Sequence, residues 1–449
     1  MIGPGGFMRR TCKKVLSRLD VHTAEVISGA SLALVLRSLG AALAFSLNVF
    51  IGRLIGAEGA GLYFLALSVV TIGAVITKLG LDNTLLRFVA VGASSRDWNK
   101  VIGVFRMGMP MAASTSLGAA LLLSIFSPWM AERLFAEAGL TSTLQVMSLG
   151  IFSLAMMTLL AETLKGLKRI HQSMLVSGVL YPGIALLTVW PLAMQFGAPG
   201  AAMAYVLGTG SAALIGWAMW RANMVGLAVT TPSFDRAMLW KSCRPLWTMS
   251  IIDQGILPWV SLFLLGVWGT AAEVGIFGAA TRVAMLLTFF LTSVNTVIAP
   301  KFAELHAQGD IEILFSLASR FALMVTLAAS PIFLLFIFAG DWVMSLFGPE
   351  FIKGGTALAI LAVGQAVNTM TGSVGYLLMM TGHERDIRSA AIVSLIMTTG
   401  CALMVIPSHG LVGAAASGSI ALATKNVVAL FFVKKRFDIK SPKRKGGLR

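Results

Sequence analysis

Four ionisable residues stand deep inside long apolar stretches: Arg37, Asp253, Arg282 and Lys425. A charge facing lipid at such depth costs about 2.5–3.5 kcal/mol on insertion scales, so each must face protein or a water-filled cavity. Three cations against one acid describe a site that is net positive. A guanidinium binds phosphate through paired N–H donors, which suits a diphosphate headgroup. A proton- or sodium-driven pump for cationic drugs would need carboxylates there instead. Asp253 shares its expected depth with Arg37 and Lys425, and a salt bridge to either would tie distant parts of the chain together. Such a bridge and a substrate site can coexist if the pair is a gate.

Neutral polar residues extend the pattern. Asn48 lies eleven residues after Arg37, three helical turns along the same face. Gln365, Asn368, Thr369, Ser373 and Tyr376 recur at i, i+3, i+4, i+8 and i+11, a polar stripe that predicts a pathway lining on an otherwise apolar helix. Gln254 adjoins Asp253, and Ser68 with Thr71 mark one helix face. Any one of these can equally be a packing hydrogen bond between helices. Lys78, Arg106 and Arg320 fall within a turn or so of a helix end, where long side chains snorkel to the interface, and Glu162 stands three residues from Lys165.

The elements that must position these residues follow from composition. Hydrophobic residues make up 57% and charged residues 12% of 449, with a mean hydropathy of +0.84. An ordinary soluble domain carries about 25% charge. The apolar residues fall into runs of about 18–28, long enough to cross roughly 30 Å of hydrocarbon as helix. In lipid every backbone amide needs an internal partner, which makes the runs helical, and the short alternating segments of a β-barrel are absent. The expected class is an all-α polytopic membrane protein with twelve spans: 29–51, 62–80, 102–128, 142–164, 173–195, 200–219, 246–267, 274–299, 317–339, 354–380, 388–406 and 411–433.

A repeat organises these spans. GAEGAGLYFLALSVV from Gly56 is matched by TAAEVGIFGAATRV from Thr270, with Gly61 and Gly275 in register 214 residues apart, and GAPGAA at Gly197 is matched by GLVGAA at Gly410. Six spans is an even number, so the halves share an orientation and a pseudo-two-fold along the membrane normal is expected. The division is a basic tail (1–28), a six-helix lobe (29–220), a linker (221–245), a second lobe (246–433) and a basic tail (434–449).

The net charge of +16 could suggest nucleic acid, but its placement argues against that partner. Both tails and the even-numbered loops carry the Lys and Arg, while the opposite loops hold only Arg53, Arg133 and Lys353. The positive-inside rule puts the rich side, with both termini, in the cytoplasm, where the tails meet anionic lipid headgroups. The first apolar run is too long for a signal peptide. Cys12, Cys243 and Cys401 lie far apart, the five histidines show no metal-ligand spacing, and no GxxxxGK[ST] occurs. Neither metal, cofactor nor ATP hydrolysis is expected. No outer loop exceeds about 15 residues, too short for the folded domain an enzyme acting on exported polymer needs.

Arg53-Leu54-Ile55-Gly56, then Gly61-Leu62-Tyr63, then Gly80-Leu81-Asp82 with Arg87-Phe88 beyond, resembles the polysaccharide biosynthesis flippases of the multidrug/oligosaccharidyl-lipid/polysaccharide exporter superfamily. The likeness covers the whole chain and includes the Gly61 and Gly275 helix starts. It implies that spans 1, 2, 7 and 8 line a central cationic cavity opening alternately to each side, with Arg37, Asn48, Asp253 and Arg282 at the substrate. The chain departs from lipid II flippases, which have fourteen helices and an Arg-Asp pair in span 1; here Ser38 follows Arg37.

The function expected is a flippase, not an enzyme, for an undecaprenyl-diphosphate-linked oligosaccharide of surface polysaccharide assembly in the bacterial inner membrane. Arg37, Arg282 and Lys425 hold diphosphate or acidic sugar in this reading, and the span 10 stripe meets sugar hydroxyls. Its partners are that lipid-linked substrate, anionic lipids, and polymerase and chain-length machinery. The alternatives are a cation-coupled multidrug antiporter, a membrane polymerase or ligase, and a purely structural membrane protein.

Overall fold

The computed structural model describes residues 21–225 and 235–437; the basic tail residues before and after these, Cys12 among them, lie outside the described residues. Among the described residues the chain is helical and without strands. Among these residues nine helices are long and apolar enough to cross a membrane, and a bent pair, Ala237–Ile256 with Val260–Trp268, makes a tenth. Two of the nine are themselves broken. Val21–Thr77 contains Gly56 at φ 69°, and Glu384–Arg436 contains Gly410 at φ 46°, left-handed conformations in which a side chain is strained. Dividing at these glycines gives segments that correspond to the twelve expected spans, and span numbers are used below in that sense. Span 1 is 21–55, span 2 is 57–77, span 7 the bent pair, span 8 Ala271–Gln308, span 10 the segments Gly355–Thr371 and Val374–Met380, and span 12 411–436.

Local chemistry sets several of the starts. Asp97 accepts from the Lys100 N–H at the head of Trp98–Trp129. Thr270 and Glu273 form a reciprocal capping box at the head of span 8. Other boundaries differ from the sequence expectation. Span 1 is helical from Val21, and span 7 opens with the helix Arg236–Ser250, so the expected linker includes the last turn before Val225 and ten residues of helix. Leu81–Ser94 is a separate amphipathic helix that buries Leu81, Leu85, Phe88 and Val89. Lys78 does not snorkel: it is buried and pairs with Asp82 at 3.4 Å. Arg106 and Arg320 are exposed, and Lys165 meets Glu162 at 3.2 Å.

Spans 3 to 6 pack on one another, as do spans 9 to 12, and the principal join between the halves is the pairing of spans 1 and 2 with span 8. The largest buried cluster runs through this join, with Ile51, Phe64, Phe347 and Phe351 at 0–1% exposure.

Candidate functional site

At the end of the bundle away from the termini, spans 2 and 8 cross backbone to backbone. A Cβ built on Gly61 would overlap the Ala271 carbonyl oxygen, and one built on Gly275 would overlap that of Ala57. Glycine is required at both places. Arg53 lies at the same end and donates from Nε to the Leu346 carbonyl at 2.7 Å. Of the motif positions read from sequence, Arg53, Gly56, Gly61 and Gly275 therefore build this crossing. Arg87 does not: it is exposed on the amphipathic helix near the opposite end.

Below the crossing lies a cavity of about 530 Å³. Its lining comes from span 1 (Ala41, Ala44, Phe45, Asn48), span 7 (Asp253, Leu257, Pro258, Ser261), span 8 (Phe277 to Thr292), span 10 (Leu361, Gln365, Asn368) and span 12 (Gly418 to Lys425). Span 2, which the resemblance placed in the lining, supplies none of these residues; Ser68 and Thr71 bond to carbonyls of their own helix, Leu65 and Leu67. The site is thus built by the second half and closed by one helix of the first.

Asp253 sits in a π-helical turn, Ile251–Ile256, followed by a 49° bend at Leu257–Trp259. Pro258 lacks an N–H and cannot continue the ladder, which accounts for the break. The turn carries the Asp253 carboxylate to the Lys425 ammonium of span 12, and the two form an ion pair and hydrogen bond. Both side chains keep about 30% exposure, 29% for Lys425 and 31% for Asp253, so the pair is wetted from the cavity rather than sealed. Of the two partners open to Asp253 in sequence, the structure joins it to Lys425. Arg37 is one turn outside the lining residue Ala41 and donates from Nη1 to the Thr292 carbonyl at 3.3 Å, bordering the cavity toward the termini.

Arg282 enters the cavity eleven residues after Ala271, about 16 Å along span 8. Its guanidinium lies over two rings, Trp259 at 5.1 Å and Phe64 at 5.5 Å from the centroids. Cation–π contacts of this kind contribute about 0.5–2 kcal/mol each and hold the plane without occupying its N–H donors. No carboxylate pairs with Arg282 among the described residues. The result is a positioned cation with donors to spare, facing a pair whose ammonium is shared with Asp253.

Part of the remaining polar lining forms a chain that Asn426, outside the lining, extends. Thr288 Oγ1 donates to Gln365 Oε1 at 2.6 Å, Asn368 Nδ2 donates to the same oxygen at 3.3 Å, and Asn426 Nδ2 donates to Asn368 Oδ1 at 3.0 Å. Asn48 lines the same space, its Nδ2 on the Ala44 carbonyl at 2.6 Å. The span 10 stripe does not continue. Gly372 at φ 69° breaks the helix, Ser373 bonds to Asn295 in a buried contact, Thr369 is buried on its own helix, and Tyr376 is exposed. Gln254 is exposed and outside the lining, because the residue after Asp253 points elsewhere on the turn. Thr288, Trp259, Phe64 and Asn426 were not singled out from sequence; Asn426 was legible as the polar neighbour of Lys425. Among the described residues no cluster of His, Cys, Asp and Glu could hold a metal ion.

Comparison with known proteins agrees with this architecture. A family model described as polysaccharide biosynthesis protein matches residues 26–306. The chain is similar to the probable low-salt glycan biosynthesis flippase Agl15 of Haloferax volcanii, 21% identical over 405 residues that cover 89% of this chain and 82% of that one. Among solved structures it is similar to a multidrug resistance MATE family transporter of the MOP superfamily in an inward-facing conformation. That match has a TM-score of 0.72 at 18% identity and covers 90% of this chain and 98% of the other. The lipid II flippase MurJ, inward closed, gives a TM-score of 0.65 at 14% identity, covering 89% and 87%. At these identities the two structures speak for the fold alone.

Proposed function

Since the chain belongs to the polysaccharide biosynthesis protein family and is a multi-pass, flippase-like membrane transporter, we propose that its cargo is an undecaprenyl-diphosphate-linked oligosaccharide. It moves this lipid by alternating access across the bacterial inner membrane, for O-antigen, capsule or exopolysaccharide assembly. The end with the termini faces the cytoplasm in this reading, because the Lys and Arg excess lies there.

The observation that carries the proposal is Arg282. It is fixed by two rings, unpaired by any carboxylate among the described residues, and placed in a cavity whose other lining cation is Lys425. Diphosphate docks on Arg282 and draws Lys425 from Asp253, so the substrate exchanges places with the internal acid. Arg37 adds a third cation at the margin. The Thr288–Gln365–Asn368–Asn426 chain offers amide and hydroxyl groups to sugar hydroxyls. A drug antiporter fits less well, since the one carboxylate in the lining already has its cation.

The test is charge reversal in a strain whose surface polysaccharide depends on this protein. R282E and R37E are each expected to reduce export roughly ten- to hundred-fold, the worth of a charge-assisted contact. Unchanged export at normal protein level sinks the cavity assignment. Ion-gradient-dependent efflux of cationic drugs from proteoliposomes, without a polysaccharide phenotype, would replace it with the antiporter.

A further inference from the structure

The crossing of spans 2 and 8 is held by more than its two glycines. The Ala57 N–H, at the head of span 2, donates to Glu350 Oε2 at 2.7 Å. The Ala271 N–H, at the head of span 8, donates to Glu137 Oε1 at 3.3 Å. Glu350 belongs to the loop between spans 9 and 10 and caps a helix of the first half, while Glu137 belongs to the loop between spans 3 and 4 and caps a helix of the second. The glutamates are 213 residues apart and the alanines 214, the spacing of the repeat itself.

The loops that carry them are seated in matching fashion. Phe347 and Phe351, both fully buried, lie against Gly52 of span 1, and Phe135, at 2% exposure, lies against Gly266 of span 7. Gly52 and Gly266 are again 214 apart. Each half therefore reaches across with an aromatic anchor and a carboxylate on the positive end of the other half's helix.

We infer that Glu137 and Glu350 are paired latch residues that hold the far end of the transporter closed, and that outward opening requires both caps to be released. The aromatic seats and the glycine crossing give the closed end its shape. The carboxylates are its detachable part, because a helix N-terminus and a carboxylate freed together are both re-hydrated when that end opens. The inference rests on alternating access and on no assignment of cargo.

The test measures opening without transport. In the full chain with its three native cysteines replaced by alanine, a single reporter, Ala60→Cys, sits at a fully buried position beside the crossing. A membrane-impermeant maleimide applied to reconstituted protein from the far side labels it only when the spans part. E137A and E350A are each expected to speed labelling about five-fold, and the double variant about twenty-five-fold, since independent links multiply. A second reporter, Leu159→Cys, in the core of the first lobe away from the crossing, stays unlabelled if the fold is intact. Should either alanine variant also open that core site, E137Q and E350Q, which keep an acceptor oxygen and lose the charge, read the same equilibrium. Unchanged Ala60→Cys labelling in both members of whichever pair folds, or a double variant no faster than a single, overturns the latch. A failed polysaccharide assay with normal latch behaviour would count against the cargo and leave the latch standing.

Discussion

The far-end crossing and the central cavity are built from the same duplicated scaffold, yet they treat the duplication in opposite ways. At the crossing the close glycine contacts and the carboxylate caps come in matched pairs: Gly61 on Ala271 and Gly275 on Ala57, Glu350 on one helix head and Glu137 on the other. In the cavity nothing is matched. At the offset of 214, Arg282 corresponds to Ser68 and Arg37 to Ile251, and the lining is drawn from the second half plus span 1. Closing a bundle is a geometric task that two equal halves perform equally well. Holding the cargo proposed above, elongated and charged at one end, is not, and there the two halves differ.

The sharpest way to break the comparison is to spoil its symmetric side. G61A and G275A each place a methyl group where a carbonyl oxygen already lies, so the helices must separate; overpacking of this sort costs about 1–3 kcal/mol or more. Both variants are expected to abolish export and to label rapidly at the Ala60→Cys reporter, and to do so equally. G118A, where an added methyl meets nothing within 4 Å, should behave as wild type in both assays. A large difference between G61A and G275A would mean that the crossing is less symmetric in energy than in geometry.

The next effect belongs to the asymmetric side. K425A leaves Asp253 as an unpaired carboxylate that repels an anionic substrate, and export is expected to fall about ten-fold or more. D253N together with K425A removes that repulsion and should recover part of the loss, a non-additivity that contacting residues show. A double variant as weak as the two losses multiplied would show that the pair acts as two separate groups. The smallest effects should come from the polar chain. N368A and N426A each remove one neutral hydrogen-bond partner and should weaken substrate binding by about two- to ten-fold, read as the midpoint of a titration with a diphosphate lipid on purified protein.

How far the sequence already contained this contrast depends on the kind of residue. The spans were legible because length and hydropathy are averaged over twenty residues, and the halves because Gly61 and Gly275 stand in register. Arg282, Asp253 and Lys425 were each legible because a charge is too costly in lipid to stand there without a protein or aqueous partner, while the choice between Arg37 and Lys425 as the partner of Asp253 was not. The helix Leu81–Ser94 was not, since fourteen amphipathic residues lack the apolar run that marks a span. The span 10 stripe ends sooner than its spacing predicts, because counting by helical periodicity assumes a helix that Gly372 interrupts. Gln254 shows the weakness of adjacency, since successive residues on a helical turn point in different directions. Glu137 and Glu350 carried the repeat's own spacing, but loop acids attract no attention until the helix heads they cap are located.

The reciprocity of the crossing also says how the halves are held. A contact in which one residue meets a second, and the counterpart of the second meets that of the first, is the arrangement found at an isologous subunit interface. None of the bonds named in it comes from the segment that links the halves. The crossing thus has the form of a two-fold dimer's seam, folded into a single polypeptide.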